Sequence, residues 1–208
     1  MKRPLLLVGL ALVLLHPVTS RGFDLSLLGG LDVGMESISP PTTGTTDSLG
    51  LGYAGGLLLH FPFGAKSHFG IEVGGLYLTH SGTETFTGDT GSVKFTFPYA
   101  VLPVMLSYNF SRHVSIRAGG YYAIAIGNIT TSSTDPNVAS GSQTFSQGTV
   151  ATTDYGIVGG LGVDLGGPKF GFRIDALCVM GLANVDTSST PTDKYLDFLL
   201  MAGLRITL

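Results

Sequence analysis

In the stretch Phe170-Gly-Phe-Arg-Ile-Asp-Ala-Leu-Cys-Val-Met180, apolar bulk recurs at every second position. Phe170, Phe172, Ile174, Ala176, Cys178 and Met180 share one face; Gly171, Arg173, Asp175, Leu177 and Val179 share the other. A helix would scatter these residues round its circumference, whereas a strand sends successive side chains to opposite faces. One face is wholly oily and the other sets Arg and Asp beside Gly and Leu. That is the pattern of a strand with lipid outside and protein inside.

The same arrangement recurs. Leu196, Phe198, Leu200, Ala202, Leu204 and Ile206 oppose Asp197, Leu199, Met201, Gly203, Arg205 and Thr207. Val114, Ile116, Ala118, Tyr122, Ile124 and Ile126 oppose Ser115, Arg117, Gly119, Tyr121, Ala123 and Ala125. Eight such segments are expected, at 24–37, 49–61, 68–80, 93–108, 113–127, 153–165, 169–182 and 195–208. Each exceeds the roughly nine to eleven residues that a tilted strand needs to cross a membrane. The connections alternate between short (62–67, 109–112, 166–168) and long (39–48, 81–92, 128–152, 183–194). Short turns at one end with long loops at the other predict an all-β fold: a closed, up-and-down antiparallel transmembrane barrel of about eight strands. An even count with closure leaves no edge unpaired.

Bulk properties agree. Charged residues make up 12% of the chain and mean hydropathy is +0.38, against a charged share of about a quarter in soluble domains. The one helix-like apolar run, 5–15, is too short to span a bilayer. With Lys2 and Arg3 before it, Pro17 behind it, and Val18 and Ser20 at the −3 and −1 positions, it reads as a secretory signal. Residues 1–20 are therefore expected to be cleaved and 21–208 to form the barrel domain, in a bacterial outer membrane with both termini periplasmic. Loss of Lys2 and Arg3 from 11 basic residues leaves nine against 14 acidic ones, net −5. No basic stripe remains to neutralise phosphates, which disfavours a nucleic-acid partner. The single Cys178 has no internal partner and is expected on the lipid face.

Gly-Gly pairs stand inside five segments, at Gly29-Gly30, Gly55-Gly56, Gly74-Gly75, Gly119-Gly120 and Gly159-Gly160. They relieve crowding where a narrow barrel curves sharply. In the fourth segment Pro98 and Pro103 each remove a ladder donor. The apolar face also changes parity there, from Val93, Phe95 and Phe97 to Leu102, Val104, Leu106 and Tyr108. A bulge between the prolines is the expectation.

The stretch Val101-Leu-Pro-Val-Met-Leu-Ser-Tyr-Asn-Phe110, followed by Val114-Ser-Ile-Arg-Ala-Gly-Gly-Tyr-Tyr122, resembles the PorT-like outer-membrane β-barrel family. So does Asp154-Tyr-Gly-Ile-Val-Gly-Gly-Leu-Gly-Val163. The resemblance spans the mature chain in layout and implies an outer-membrane barrel of mostly unassigned activity. Two departures from common outer-membrane patterns are Leu208 in place of a final aromatic and the lack of Trp. Tyr53, Tyr77, Tyr99, Tyr108, Tyr122 and Tyr155 are then expected to supply the interfacial girdles.

Eight strands enclose a lumen that side chains fill or that holds one small ligand, not a wide channel. Counting from the short turns places Glu72, Arg117, Asp164, Arg173, Asp175 and Arg205 at similar depth in the periplasmic half. Buried charges persist when paired, so a salt-bridged plug is expected rather than an ion relay. Above it, inward positions read as small or apolar. Leu76, Leu78, Val158, Leu177, Leu199 and Met201, with Ala123, Ala125 and Val179, form either a dry core or a narrow pocket for an acyl chain.

His80-Ser81 with Glu84 has the residue types of a base, nucleophile and orienting acid, as in barrels that modify lipid A. Adjacent strand residues point apart, however, and no enzyme activity is expected. Asn109-Phe-Ser and Asn128-Ile-Thr match a glycosylation sequon of little meaning in a bacterial barrel. Asp135, Asp154, Asp186 and Asp193 lack calcium-loop spacing, the histidines lack metal spacing, and no cofactor is expected. The expected partners are outer-membrane lipid and, during biogenesis, the barrel-assembly machinery. The long external loops, 128–152 foremost, would carry a structural, adhesive or envelope-interaction role.

Overall fold

The first and last strands meet along their whole length, and that pairing closes the sheet. A computed structural model describes residues 22–39, 45–64, 68–86, 91–134, 139–145, 151–184 and 192–208. The expected signal segment, 1–20, lies outside these residues. The strands are β1 (Asp24–Ser39), β2 (Thr45–Phe63), β3 (Phe69–Phe86), β4 (Ser92–Asn109), β5 (Val114–Ala125), β6 (Asn128–Ser133), β7 (Gly141–Thr144), β8 (Thr153–Gly166), β9 (Phe170–Gly181) and β10 (Thr192–Thr207). Every pairing is antiparallel, and β1, β2, β3, β4, β5, β8, β9 and β10 form a ring closed by β1 on β10, from Asp24↔Thr207 to Ser39↔Thr192. Closure satisfies the backbone donors and acceptors internally, as a strand-built membrane span requires. Among the described residues no helix is long and apolar enough to cross a membrane.

Alternation sets the two surfaces. Along β4, Leu102, Val104 and Leu106 are 50–64% exposed, while Val101 and Met105 between them are at most 3% exposed. The outward leucines, isoleucines and phenylalanines make a continuous apolar belt far larger than a water-soluble monomer tolerates. Aromatic rings bound it. At the short-turn end Phe23 packs on Phe61 (5.7 Å), Phe63 on Phe69 (6.2 Å), and Tyr108 between Phe69 and Phe110 (5.0 Å each). At the long-loop end Tyr53 stacks on Tyr77 (6.0 Å) and Tyr122 lies opposite Tyr155.

Tyr99, expected in a girdle, points instead into the lumen and is 1% exposed. The expected bulge between Pro98 and Pro103 is also missing. The register of β4 against β3 runs unslipped from Phe69↔Tyr108 to Thr85↔Ser92, lapsing only at Gly74 and Gly75 opposite Pro103 and Leu102. Parity therefore never changes, and Val93 and Phe97 face inward with Tyr99. They look lipid-facing in sequence because an aromatic lumen plug and a lipid face are both apolar. Pro98 is tolerated because its carbonyl accepts from Ile126 N–H, so its missing donor falls at the break between β5 and β6.

The real irregularity lies in β2. Between Leu49↔Gly82 and Ala54↔Leu78, five residue steps of β2 oppose four of β3. The Thr79 hydroxyl fills the gap, accepting from Tyr53 N–H (2.8 Å) and donating to Tyr53 O (3.1 Å). The bend leaves Thr79, His80 and Ser81 all buried.

The stretch 128–152, expected as one loop, contains a hairpin. After Gly127 (φ 79°), β6 takes over from β5 and pairs with the outer part of β4, and β7 pairs with β6. Phe145 then turns in to meet Tyr99 edge to face (5.6 Å).

Candidate functional site

Three layers fill the lumen, and each draws its side chains from several strands. Nearest the short turns, Arg117 of β5 reaches Asp175 of β9 with both terminal nitrogens (2.8 and 2.6 Å) and Glu72 of β3 at 3.2 Å. Arg173 of β9 reaches Glu72 at 2.5 Å and Asp175 through Nε at 3.0 Å, and donates to the Ser26 hydroxyl of β1 (3.3 Å). Two guanidiniums and two carboxylates thus tie three strands across the barrel, with β1 joined through Ser26, and none of the four is more than 3% exposed. The fork geometry of Arg lets one carboxylate accept from two partners at once.

Arg205 and Asp164 lie one shell nearer the mouth. Arg205 pairs with Asp164 (3.2 Å) and Asp24 (3.1 Å), while Asp24 also accepts from Thr207 and meets His60 Nδ1 at 3.2 Å. His60 continues to the Ser107 hydroxyl at 3.0 Å. The six charged residues singled out in sequence are therefore divided: Glu72, Arg117, Arg173 and Asp175 interlock, and Asp164 with Arg205 forms the rim. A cavity of about 510 Å³ opens at this end, walled by Asp24, His60, Glu72, Arg112, Asp164 and Arg205 among others. Glycines make room for the charged heads. A Cβ on Gly162 would stand 1.5 Å from the Arg117 guanidinium, so any side chain there expels it.

The middle layer is apolar. Leu76, Leu78, Val158, Leu177, Leu199 and Met201 are 0–6% exposed and belong to one packed cluster with Leu58 and Met105. Side chains, not an acyl-sized opening, occupy this level. An apolar hollow of about 410 Å³ adjoins this layer, walled by Leu161, Ala176, Cys178, Phe198 and Leu200 and also bordered by Leu177 and Leu199. Cys178 is half-buried beside it, among the outward positions of β9.

The third layer, toward the long loops, is one that reading single strands missed. Here Asp32 of β1, His80 of β3, Asp154 of β8 and Asp197 of β10 are buried with Tyr99, Tyr121 and Tyr195. His80 stacks on Tyr195 (4.4 Å), meets Tyr99 edge-on (5.1 Å) and forms an ion pair with Asp197 through Nδ1 (2.5 Å). Asp154 accepts from the Tyr121 hydroxyl (2.5 Å) and from Tyr155 N–H (2.8 Å). Neither carboxylate oxygen of Asp32 accepts a hydrogen bond among the described residues. The upper lumen is therefore not simply apolar, as its inward leucines and valines suggest. All four polar residues sit at inward positions, but their common height depends on strand stagger, which no single segment reveals.

Of the suggested His80, Ser81 and Glu84 constellation, His80 is committed to Asp197. Neither its Nε2 nor the Ser81 hydroxyl hydrogen-bonds any described group, so the two do not engage each other. The Glu84 side chain lies outside the described residues. Among those residues no group of three His, Cys, Asp or Glu is placed to hold a metal ion.

Residues 15–187 match a family described as outer membrane protein beta-barrel domain. A comparison with curated proteins gives no match. Among solved structures, the chain is similar to Ail, the attachment invasion locus protein of Yersinia pestis, crystallised with the heparin analogue sucrose octasulfate. That likeness has a TM-score of 0.48 at 16% identity, over 89% of this chain and 99% of that one. It is also similar to OprG from Pseudomonas aeruginosa, with a TM-score of 0.48 at 13% identity over 90% and 97%. For Neisserial surface protein A the values are 0.46 and 11%, over 90% and 97%.

Proposed function

The chain belongs to the outer-membrane protein β-barrel domain family, and on that premise we propose that it is a closed, non-enzymatic barrel acting through its long-loop end. The observation that carries this is the filling of the lumen. An ion-paired layer, an apolar layer and an aromatic layer follow one another along the lumen, and among the described residues they leave no continuous polar path. The surfaces free for chemistry are then the ends, and at one end the chain invests far more sequence than its turns require. The β6–β7 hairpin extends the wall beyond β5 and offers Gly141–Thr144, all exposed, at its margin. A structural, adhesive or envelope-interaction role fits such a platform.

In this reading the short turns and both chain ends face the periplasm and the long loops face outward. Outer-membrane lipid covers the apolar belt, and the barrel-assembly machinery inserts the chain. The PorT-like kinship read from 101–122 and 154–163 is the finer family assignment that we propose.

Planar-bilayer recordings test the closed lumen. No stepwise conductance is expected; steps that survive replacement of 128–152 by a Gly-Ser turn would overturn the proposal. Cells displaying the barrel with and without that replacement test the loops. Adhesion to immobilised matrix glycoproteins should fall while the barrel stays folded, as judged by its heat-modifiable mobility on gels. Unchanged adhesion would move the role away from this hairpin.

A further inference from the structure

Three of the four guanidiniums lining the short-turn cavity are held in ion pairs, and the fourth is not. Arg205 is held by Asp24 and Asp164, and Arg117 and Arg173 by Glu72 and Asp175. Arg112, in the turn between β4 and β5, has no acceptor among the described residues. The Nε–H of Arg117 also lacks one, although that side chain is only 2% exposed and lines the same cavity. Ser111 adds a third donor. Its oxygen already accepts from His113 N–H and Val114 N–H (3.1 Å each), so its own proton is left to donate. Four arginines face four acids here, so the charge balances; what the wall lacks is an acceptor.

Two imidazoles frame these donors. His68 Nδ1 meets Asn109 O (3.1 Å), and His113 Nδ1 meets Asp164 O (2.8 Å). A carbonyl oxygen only accepts, so each ring carries a proton on Nδ1 and is fixed in orientation. Both rings line the cavity. The turn that carries Ser111 and Arg112 is thus pinned on both sides.

We propose that the short-turn cavity binds a small phosphate ester, with Ser111 and Arg112 donating to its oxygens from the turn and Arg117 from the floor. A tetrahedral oxyanion accepts from several directions, whereas a carboxylate accepts close to one plane. The cavity, about 510 Å³, falls within the range of small-molecule sites, about 300–1,000 Å³, and leaves room for an organic body beside the anion. Such a group has two sources, a soluble phosphate monoester and the diester of a lipid head. The site stands apart from the long loops, so the role proposed for them survives its failure.

The test uses the folded, full-length barrel, labelled with carbon-13 in its histidines and held in maltoside micelles at fixed pH and chloride. Titration with sn-glycerol 3-phosphate should shift the ring signals of His68 and His113 saturably, while His80, at the other end of the lumen, stays still. Arg112→Gln, in an exposed turn, should raise the half-saturating concentration by about tenfold or more, through lost charge-assisted hydrogen bonds. Lys169→Gln removes the same charge from the neighbouring short turn, outside the cavity wall, and should leave binding unchanged. Absence of saturation in the native protein would overturn the site, and so would equal weakening by both variants. Succinate binding as tightly as the phosphate would overturn the choice of anion. Glycerophosphoethanolamine, a soluble lipid-head diester, separates the sources: binding as tight as the monoester assigns the site to lipid heads, and weaker binding assigns it to a soluble ester.

Discussion

The two ends of the lumen bury acidic side chains under opposite conditions. Toward the short turns, Glu72 and Asp175 are each held by both Arg117 and Arg173, and every carboxylate has a guanidinium within 3.2 Å. Toward the long loops, among the described residues, Asp197 pairs with a single imidazole and Asp32 accepts no hydrogen bond. One end is electrically closed and the other is not. Removing a carboxylate should therefore weaken the first and relieve the second. A packed apolar layer lies between them.

The sharpest way to break that contrast is Asp175→Ala. It strands two buried guanidiniums and should cost about 3–5 kcal/mol, read from the denaturant midpoint of the barrel in lipid vesicles. A loss below about 1 kcal/mol would mean that water already penetrates this end. Gly162→Ala comes next, since its Cβ would displace the Arg117 head. An expected loss of about 2–3 kcal/mol should shrink when Arg117→Met is added, because the clash then disappears. Additive losses in that double-mutant cycle would sever glycine from guanidinium.

At the opposite end the sign should reverse. Asp32→Asn is expected to be neutral or stabilising, by up to about 1–2 kcal/mol, because it removes a buried carboxyl that accepts no hydrogen bond among the described residues. A clear destabilisation would show that Asp32 has a partner and that the ends differ less than their contacts suggest. The smallest effect belongs to Phe145→Ala, about 1 kcal/mol from the lost ring contact with Tyr99. Its signature is local: faster exchange near β7 with none at Arg117.

Much of this was readable in residue order. The alternation of Phe170–Gly181 and of Val114–Ala125 is a local property, because the strand period does not depend on what lies alongside. It assigned Arg117, Arg173 and Asp175 to the inner face, where all three are buried, and the short turns gave a fixed point from which to count their depth. Parity failed at Val93 and Phe97, where apolar side chains fill the lumen instead of meeting lipid. Pro98 and Pro103 suggested an irregularity in the wrong strand, since either proline fits wherever the neighbouring ladder lapses.

Residue order by itself determined that this chain forms a two-faced sheet, oily outside and mixed within, with short and long connections alternating. Those features follow from side-chain period and composition alone. Only the tertiary structure decided that five residue steps of β2 span four of β3, that Asp32, His80 and Asp197 stand at one height, and that Phe145 packs on Tyr99 beside them. Stagger between strands is a property of the closed ring, so residues far apart in the chain acquire common neighbours only once the cylinder is complete.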